Sequence, residues 1–362
     1  MGRRVRREIT LAAASKSDAG PRISRWLLAA SLSLTVVVSR PILAQAAPEL
    51  AMRDFATGQV KKGVRSIGFG GDGATWGNYA LVWKDAGGAL VDYADTSFTN
   101  GNDFHFSAVG VTSPSLWHDL AVYIIAVDEG TNDVRFRTKS PGLGLGAVPL
   151  TGTGSDRALF SKIALPLGRG LSAGVLLSYE TSHFDAAADA NPANTIHYAT
   201  EWRPSGGFGV TWQPNPRVLV GVRALLNTDE ERRTDSAGTR EGIARSQEYR
   251  VGASVSPWAG ALIDIGTTRL EKHNGLSATH SVDWEPNVGF EQWLIDRRLA
   301  LRFGQDETSQ TAGLSWKIMP VDIGLAYVNN MAHNRVGNLF GTSSRSLFMT
   351  VTVDYRSFLH KR

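Results

Sequence analysis

The sequence contains no cysteine among its 362 residues. It therefore has no disulfide framework, no thiolate metal site and no cysteine to carry a lipid anchor. Long apolar runs are also scarce: beyond residue 38, no stretch reaches the ~20 apolar residues that a membrane-spanning helix needs. If this chain crosses a membrane, strands must carry it across.

The chain also has little net charge once its N-terminal segment is set aside. Residues 1–46 hold eight Lys/Arg and two Asp/Glu, which leaves 30 basic and 32 acidic residues, a net charge of −2 instead of +4. The basic isoelectric point therefore belongs to the N-terminal segment. It gives no support to nucleic-acid binding, and we expect none.

That N-terminal segment has the pattern of an export signal. Arginines at positions 3, 4, 6, 7, 22 and 25 precede an apolar run over residues 26–38, and small residues follow around Ala44 and Ala46. This order predicts a secretory signal peptide over residues 1–46. The mature chain is then expected outside the cytoplasm.

The second half of the sequence is rich in alternating segments separated by tight turns, at residues 206–226, 247–270, 283–304 and 310–329. In the first of them, Val218, Val220 and Val222 share one face of a strand, while Arg217 and Arg223 share the other. Side chains of a strand alternate between faces with a period of two. The pattern predicts antiparallel hairpins with one apolar and one polar face.

Two all-β architectures fit such hairpins. A soluble sandwich would turn its apolar faces inward, whereas an outer-membrane barrel turns them toward lipid and carries aromatic girdles at both interfaces. Aromatic residues do occur near the strand ends, and they favour the membrane barrel: Trp212, Trp258, Trp316, Tyr179, Tyr327 and Tyr355.

The alternation and the turn residues predict about 14 strands, an even number that leaves both barrel ends in the periplasm. This count takes residues 132–139 as a separate strand and leaves residues 195–202 in a loop. Long loops are predicted at residues 181–204, at 228–246, where the charge run indicates a solvated surface, and at 271–281. We expect a signal peptide (1–46), a periplasmic or plug segment (47–102) and a barrel (103–362). Pro166 and Pro286 are the positions where the wall is expected to weaken.

Residues 63–74, GVRSIGFGGDGA, resemble the opening of the FadL-type outer-membrane proteins. That superfamily includes long-chain fatty-acid and hydrocarbon transporters and PorV-like secretion proteins. The resemblance implies a 14-stranded barrel of a Gram-negative outer membrane, with the N-terminal segment folded inside as a plug. This sequence departs from the family at residues 83–90, which lack the usual Asn-Pro, and after Tyr355, where seven further residues follow.

No pattern indicates catalysis or a bound cofactor. The glycines between Gly68 and Gly73 could cradle a phosphate, but no βαβ pattern surrounds them, and a packed turn in the plug explains them better. The histidines are scattered, and none forms a motif with a serine. His183, Asp185 and His197 could meet in one loop, a spacing that is common by chance. We therefore predict neither an enzyme nor a metal site.

The polar faces hold charges of both signs: Glu180, Arg217, Arg223, Glu248, Arg250, Asp264, Arg302, Lys317, Asp322 and Asp354. One interpretation is a polar conduit in which an arginine binds a carboxylate head group. The other is that these charges pair with one another and stiffen the barrel. The ligand-binding candidates are Phe69, Trp76 and Trp83 from the plug and Arg217, Arg223 and Arg250 from the strands.

Two functions follow. The first is transport of a hydrophobic small molecule, a fatty acid or a hydrocarbon, across the outer membrane. The alternative is a structural or secretion-associated barrel whose rim or plug binds a protein partner that the sequence does not identify. An apolar pocket continuous with a lateral opening would favour the first, and a filled interior with large ordered loops would favour the second.

Overall fold

The computed structural model describes Thr75 and residues 78–84, 87–98, 103–117, 120–138, 148–189, 191–201, 203–235, 237–276, 279–306, 309–330 and 344–354. It contains a short 3₁₀ helix, Tyr79–Lys84, followed by fifteen strands. These are β1 Gly88–Phe98, β2 Asp103–Trp117, β3 Leu120–Thr138, β4 Val148–Gly168, β5 Leu171–Ala188, β6 Asn191–Thr200, β7 Arg203–Asn215, β8 Val218–Asp235, β9 Gly238–Val255, β10 Ala261–Asn274, β11 Thr279–Leu294, β12 Leu299–Asp306, β13 Ser309–Ile318, β14 Val321–Asn330 and β15 Ser344–Asp354. Within these ranges, no helix has the length and apolar character to cross a membrane.

The strands form one closed antiparallel sheet. Apart from β6 and β7, which do not pair with each other, neighbouring strands of the chain are paired, and β1 closes the ring by pairing with β15, from Gly88 opposite Asp354 to Phe98 opposite Ser344. Segments β6 and β7 occupy one position in the wall, because both lie between β5 and β8. The wall is therefore 14 strands around, which confirms the predicted barrel.

The two faces of the wall have the polarity of a membrane barrel. Large apolar side chains point outward and are exposed, for example Val109 (58%), Ile265 (60%) and Phe303 (57%). Charged side chains such as Arg223, Asp264 and Arg302 point inward and are buried. A soluble sandwich requires the opposite arrangement, so the structure excludes that alternative.

Aromatic side chains lie on the outer surface toward both ends of the wall. Trp212, Trp258 and Trp316 are exposed near the short turns, and Tyr179 and Tyr327 are exposed farther along their strands, as predicted. Tyr355 lies outside the described residues. The rim with the short turns also carries the start of β1 and the end of β15, which identifies it as the periplasmic rim.

Several predicted boundaries were wrong. The barrel begins at Gly88 instead of residue 103, because β1 pairs with both β2 and β15 and is needed to close the wall. Residues 132–138 are the upper part of β3, where a register shift between Thr131 and Val134 resembles a break in the alternation. Residues 195–200 belong to β6 instead of a loop.

Two predicted long loops are strands as well. Residues 228–246 form the upper parts of β8 and β9, which stay paired up to Asp235 and Gly238. Most of residues 181–204 belong to β5, β6 and β7. A strand needs only ~9–11 residues to cross the apolar layer, whereas β3, β4, β5, β8 and β9 have 18 to 21. This side of the barrel therefore projects beyond the membrane at the extracellular rim.

Candidate functional site

One side of the barrel interior is apolar. The inward-facing side chains of seven neighbouring strands, from β14 through β15 and β1 to β5, form a buried cluster that Leu225 of β8 and Tyr79 of the 3₁₀ helix complete. Its members are Tyr79, Leu90, Ala94, Phe106, Ala108, Ile125, Val127, Phe160, Leu176, Leu225, Ala326, Val328 and Phe348. We call this set the apolar half of the lumen. Each of these side chains is at most 8% exposed, so the apolar half is a packed layer of apolar side chains on the inner side of the wall.

The opposite side, over β8–β13, carries paired charges. Arg302 Nε donates to Glu291 Oε2 at 2.7 Å, and both side chains are at most 2% exposed. Arg223 and Arg250 both donate to Glu248, at 2.9 and 2.7 Å. These contacts agree with the interpretation in which interior charges pair and stiffen the barrel.

The first described residues lie inside the barrel and are bonded to its wall. Thr75 Oγ1 is hydrogen-bonded to Ser254 Oγ of β9 at 2.6 Å and donates to Asp264 of β10. Asn78 Nδ2 donates to the carbonyl oxygens of Val210 at 3.2 Å and Val222 at 2.9 Å, one on β7 and one on β8. Thr75 and residues 78–81, here called the interior segment, are thus fixed to four neighbouring strands, β7 to β10.

Glycines in the wall make room for this segment. A Cβ on Gly174 would lie 2.5 Å from the carbonyl oxygen of Tyr79, and a Cβ on Gly207 would lie 2.8 Å from the Tyr79 ring. A Cβ on Gly209 would collide with Asn78 Oδ1. These three glycines face inward on β5 and β7, and their lack of a side chain lets the backbones approach closely.

Tyr79 joins the two sides of the lumen. Its side chain is fully buried in the apolar half. The Arg223 guanidinium lies 5.3 Å and the Lys162 ammonium 5.9 Å from the centre of its ring, within the range of cation–π attraction. The interior segment therefore contacts both the apolar half and the charged strands.

The structure brings only part of the predicted ligand-binding set together. Arg223 and Arg250 point into the lumen, but both are bound to Glu248. Arg217 lies in the exposed turn between β7 and β8, so its expected place in the lumen was wrong: the alternation stops at Asn215 and resumes at Val218.

The predicted aromatic contacts from the plug lie mostly outside the described residues. This applies to Phe69, to Trp76 and to the Trp83 side chain, although the backbone of Trp83 belongs to the 3₁₀ helix. The inward aromatic residues Phe106 and Phe160 were missed. Both lie on the inward faces of their strands, among small or polar residues. The period-two alternation of β2 and β4 could have identified them as inward-facing.

Among the described residues, the pairing with β8 is interrupted between β6 and β7, while Arg203 and Pro204 remain paired with β5. The ladder between β7 and β8 stops at Gly206–Leu226, and the ladder between β6 and β8 starts at Thr200–Glu231. From Leu226 to Glu231, β8 advances by five residues. From Thr200 to Gly206, the opposing side advances by six residues, so it has one extra residue, as in a β-bulge. We call the interval between these two pairs the wall interruption. Pro204 stands within it, while the expected weak point at Pro286 lies in a continuous ladder and Pro166 lies at the periplasmic turn.

Asp185 and His197, which the sequence allowed to meet in one loop, lie instead directly opposite each other on β5 and β6, on the outer surface. His197 Nδ1 lies 2.6 Å from Asp185 Oδ1, and both side chains are more than half exposed. Across the described ranges, no three His, Cys, Asp or Glu side chains are placed to hold a metal ion.

Comparison with solved structures identifies the same architecture. The chain superposes on the deltaS2S3 mutant of TodX, a monoaromatic hydrocarbon channel, with a TM-score of 0.55 and 10% identity over 81% of this chain and 98% of that one. For the Pseudomonas putida toluene transporter TodX the values are 0.53, 9%, 79% and 96%. For a Pseudomonas aeruginosa FadL homologue they are 0.51, 14%, 81% and 97%. The chain has the FadL-type barrel fold.

No protein-family model and no curated protein sequence matches this chain. The three solved structures share the barrel fold with this chain at identities of 14% or less. A closed antiparallel barrel with an apolar outer face is the architecture of integral proteins of the bacterial outer membrane. This protein resides in that membrane.

Proposed function

We propose that this barrel carries hydrophobic small molecules across the outer membrane along the apolar half of its lumen. The observation that carries the proposal is the continuous set of buried apolar side chains on seven neighbouring strands. A barrel interior that only excluded solutes or conducted ions would have no need for such a surface, since water-filled lumens are polar. The solved channels of the same fold include a toluene transporter, which supports this class of cargo.

The wall interruption provides an exit toward the outer leaflet, next to the exposed apolar side chains of Phe208 and Leu226. A hydrophobic molecule gains nothing by entering the aqueous periplasm, whereas passage through the wall keeps it in an apolar medium. The interruption between Thr200 and Gly206 lies next to the strand pair that holds the interior segment. Release of that segment and passage through the wall would then occur at one place.

The charges of the lumen favour an uncharged cargo over a carboxylate. Arg223 and Arg250, the inward arginines that were candidates for a head group, already share Glu248. A carboxylate ligand would have to displace Glu248, which both arginines already contact at hydrogen-bonding distance. Hydrocarbons therefore fit this lumen better than fatty acids.

Making the apolar half more polar is expected to reduce uptake. In Val127→Thr/Val328→Thr, two buried inward methyl groups become hydroxyls of nearly the same size. Each unsatisfied hydroxyl costs a bound hydrocarbon about 0.5–2 kcal/mol, so uptake of radiolabelled toluene into proteoliposomes should fall about tenfold. The matched control Val175→Thr/Val251→Thr changes exposed, lipid-facing valines and should leave uptake unchanged. Equal uptake by both variants would contradict the proposed path.

A second function, binding of a protein partner at the extracellular rim, is favoured by one observation. The β3–β5 and β8–β9 strands continue as ordered hairpins well past the apolar band. A partner that docks there would be lost when the β8–β9 hairpin is shortened between residues 230 and 243, and hydrocarbon uptake would be retained. Pull-down from outer-membrane extracts with the intact and shortened barrels separates the two functions.

A further inference from the structure

The outer face of β9–β11 carries a row of basic side chains at one height. Arg245 of β9 lies directly opposite His273 of β10, which lies directly opposite His280 of β11. All three are exposed. Residues directly opposite in an antiparallel pair have Cβ atoms about 5 Å apart, so the three side chains form one contiguous surface.

This row stands immediately above an aromatic row. Four residues nearer the membrane on β9 and β11, Tyr249 and Trp284 are exposed on the same face, 41% and 60%, with Arg269 between them. The Arg269 guanidinium lies 5.9 Å from the centre of the Tyr249 ring. Four residues of strand correspond to about 13 Å, and interfacial aromatic residues sit at the level of the lipid headgroups. The basic row therefore lies about 13 Å along the strands beyond the aromatic row, on the outer side of the headgroup layer.

The charge of this surface is positive. Arg245 and Arg269 each contribute +1 and Glu271 contributes −1, so these three side chains sum to +1. Glu271 is itself engaged: it lies 2.8 Å from Arg269 Nη2 and 3.0 Å from His280 Nε2. The nearest outward carboxylate beyond β9 is that of Glu230 on β8, opposite Ile243.

We propose that Arg245, Arg269, His273 and His280 form a binding site for the phosphate groups of lipid A in the outer leaflet. An arginine guanidinium matches a phosphate bidentately, and neighbouring imidazoles add donors. The aromatic row below offers apolar side chains of Tyr249 and Trp284 to the acyl chains. The site lies on the outer surface and is independent of the lumen and of what the barrel transports.

Native mass spectrometry of the detergent-purified full chain with added lipid A tests the proposal. The variant Arg245→Gln/Arg269→Gln should lose lipid A affinity at least about tenfold. The control Arg157→Gln removes an outward arginine of the same rim, one that is paired with Asp128 on β3, and should retain the affinity of the unmodified protein. Heat-modifiable migration in gels confirms that each barrel is folded, and the single variant Arg245→Gln replaces the double variant if that one does not fold.

Two results would overturn the site. Equal loss in the Arg157 control would show that general rim charge holds the lipid, and unchanged binding by the Arg245 variants would show that these residues do not contact it. Lipid A stripped of its phosphates provides a second readout on the unmodified barrel. It should bind as weakly as intact lipid A binds to the double variant, and equal binding of the two lipids to the unmodified barrel would also refute the proposal.

Discussion

Cells that carry the Gly174→Ala/Gly209→Ala variant are expected to take up small hydrophilic solutes faster than cells with the unmodified barrel. The Gly174 methyl would lie 2.5 Å from the backbone oxygen of Tyr79, and backbone cannot move aside as a flexible side chain does. The Gly209 methyl would displace Asn78, which bridges β7 and β8. Forced overpacking costs about 1–3 kcal/mol per site. Every 1.4 kcal/mol raises the detached population of the interior segment about tenfold.

Gly206→Ala is the matched control for this variant. Gly206 is a neighbour of Gly207 on β7 but faces outward, and a Cβ there would lie 3.6 Å from the nearest atom, the Leu176 carbonyl oxygen. Its methyl group should change neither the position of the interior segment nor solute influx. The influx of a small β-lactam, measured from its hydrolysis in the periplasm, distinguishes the double variant from the Gly206→Ala control. If the double variant and the control are equally tight, the interior segment does not close the lumen.

Glu291→Leu is expected to destabilise the barrel by about 3–5 kcal/mol, the cost of leaving one partner of a buried ion pair alone. Arg302 is 2% exposed and would keep its charge without the carboxylate that it contacts at 2.7 Å. The Trp293 indole also donates to Glu291 Oε1 at 2.9 Å and would lose that acceptor. Urea unfolding of the protein in micelles, followed by tryptophan fluorescence, measures the change in free energy.

The double variant Glu291→Leu/Arg302→Met separates a structural role from a role in transport. It removes both charges together, so most of the stability should return. Asp128→Asn, which breaks the exposed pair with Arg157, should cost at most about 1 kcal/mol. Hydrocarbon uptake by the double variant should match that of the unmodified barrel. Loss of uptake in a stable double variant would place the charged strands on the transport path and contradict the proposal for the apolar half.

The sequence was sufficient to predict the barrel and its polarity. Period-two alternation, as in Val218, Val220 and Val222, indicates which face of each strand meets lipid. The predicted number of 14 strands was right because two errors cancelled: residues 132–139 were counted as a separate strand, and β1 was left out. The members of the wall could not all be predicted. Strand β1 has the acidic residues Asp92 and Asp95 and no long apolar run, and only its pairing with β15 shows that it belongs to the barrel.

The candidate site depended on information that no local pattern holds. Phe106, Phe160 and Phe348 are far apart in sequence and come together only because the sheet closes. The wall interruption arises from one extra residue relative to both neighbouring strands, which is a property of the register and cannot be read from one segment. The expected weak points were Pro166 and Pro286, and only the ladders show that Pro204 is the proline within the interruption.

A reversible disulfide across the wall interruption is the most direct test of hydrocarbon transport through it. The chain has no cysteine of its own. Ser205→Cys/Asn227→Cys places thiols at the two buried inward positions that would extend the ladder beyond Gly206–Leu226. Thr96→Cys/Ser346→Cys is the control in intact wall, where the two native hydroxyl oxygens lie 2.8 Å apart.

Toluene uptake into proteoliposomes is then measured before and after reduction. We predict that the oxidised Ser205→Cys/Asn227→Cys barrel transports no more toluene than empty liposomes, that dithiothreitol restores transport, and that the control transports equally in both states. Undiminished uptake through a fully oxidised Ser205→Cys/Asn227→Cys barrel would show that the cargo does not pass the wall at this point and would contradict the proposed route.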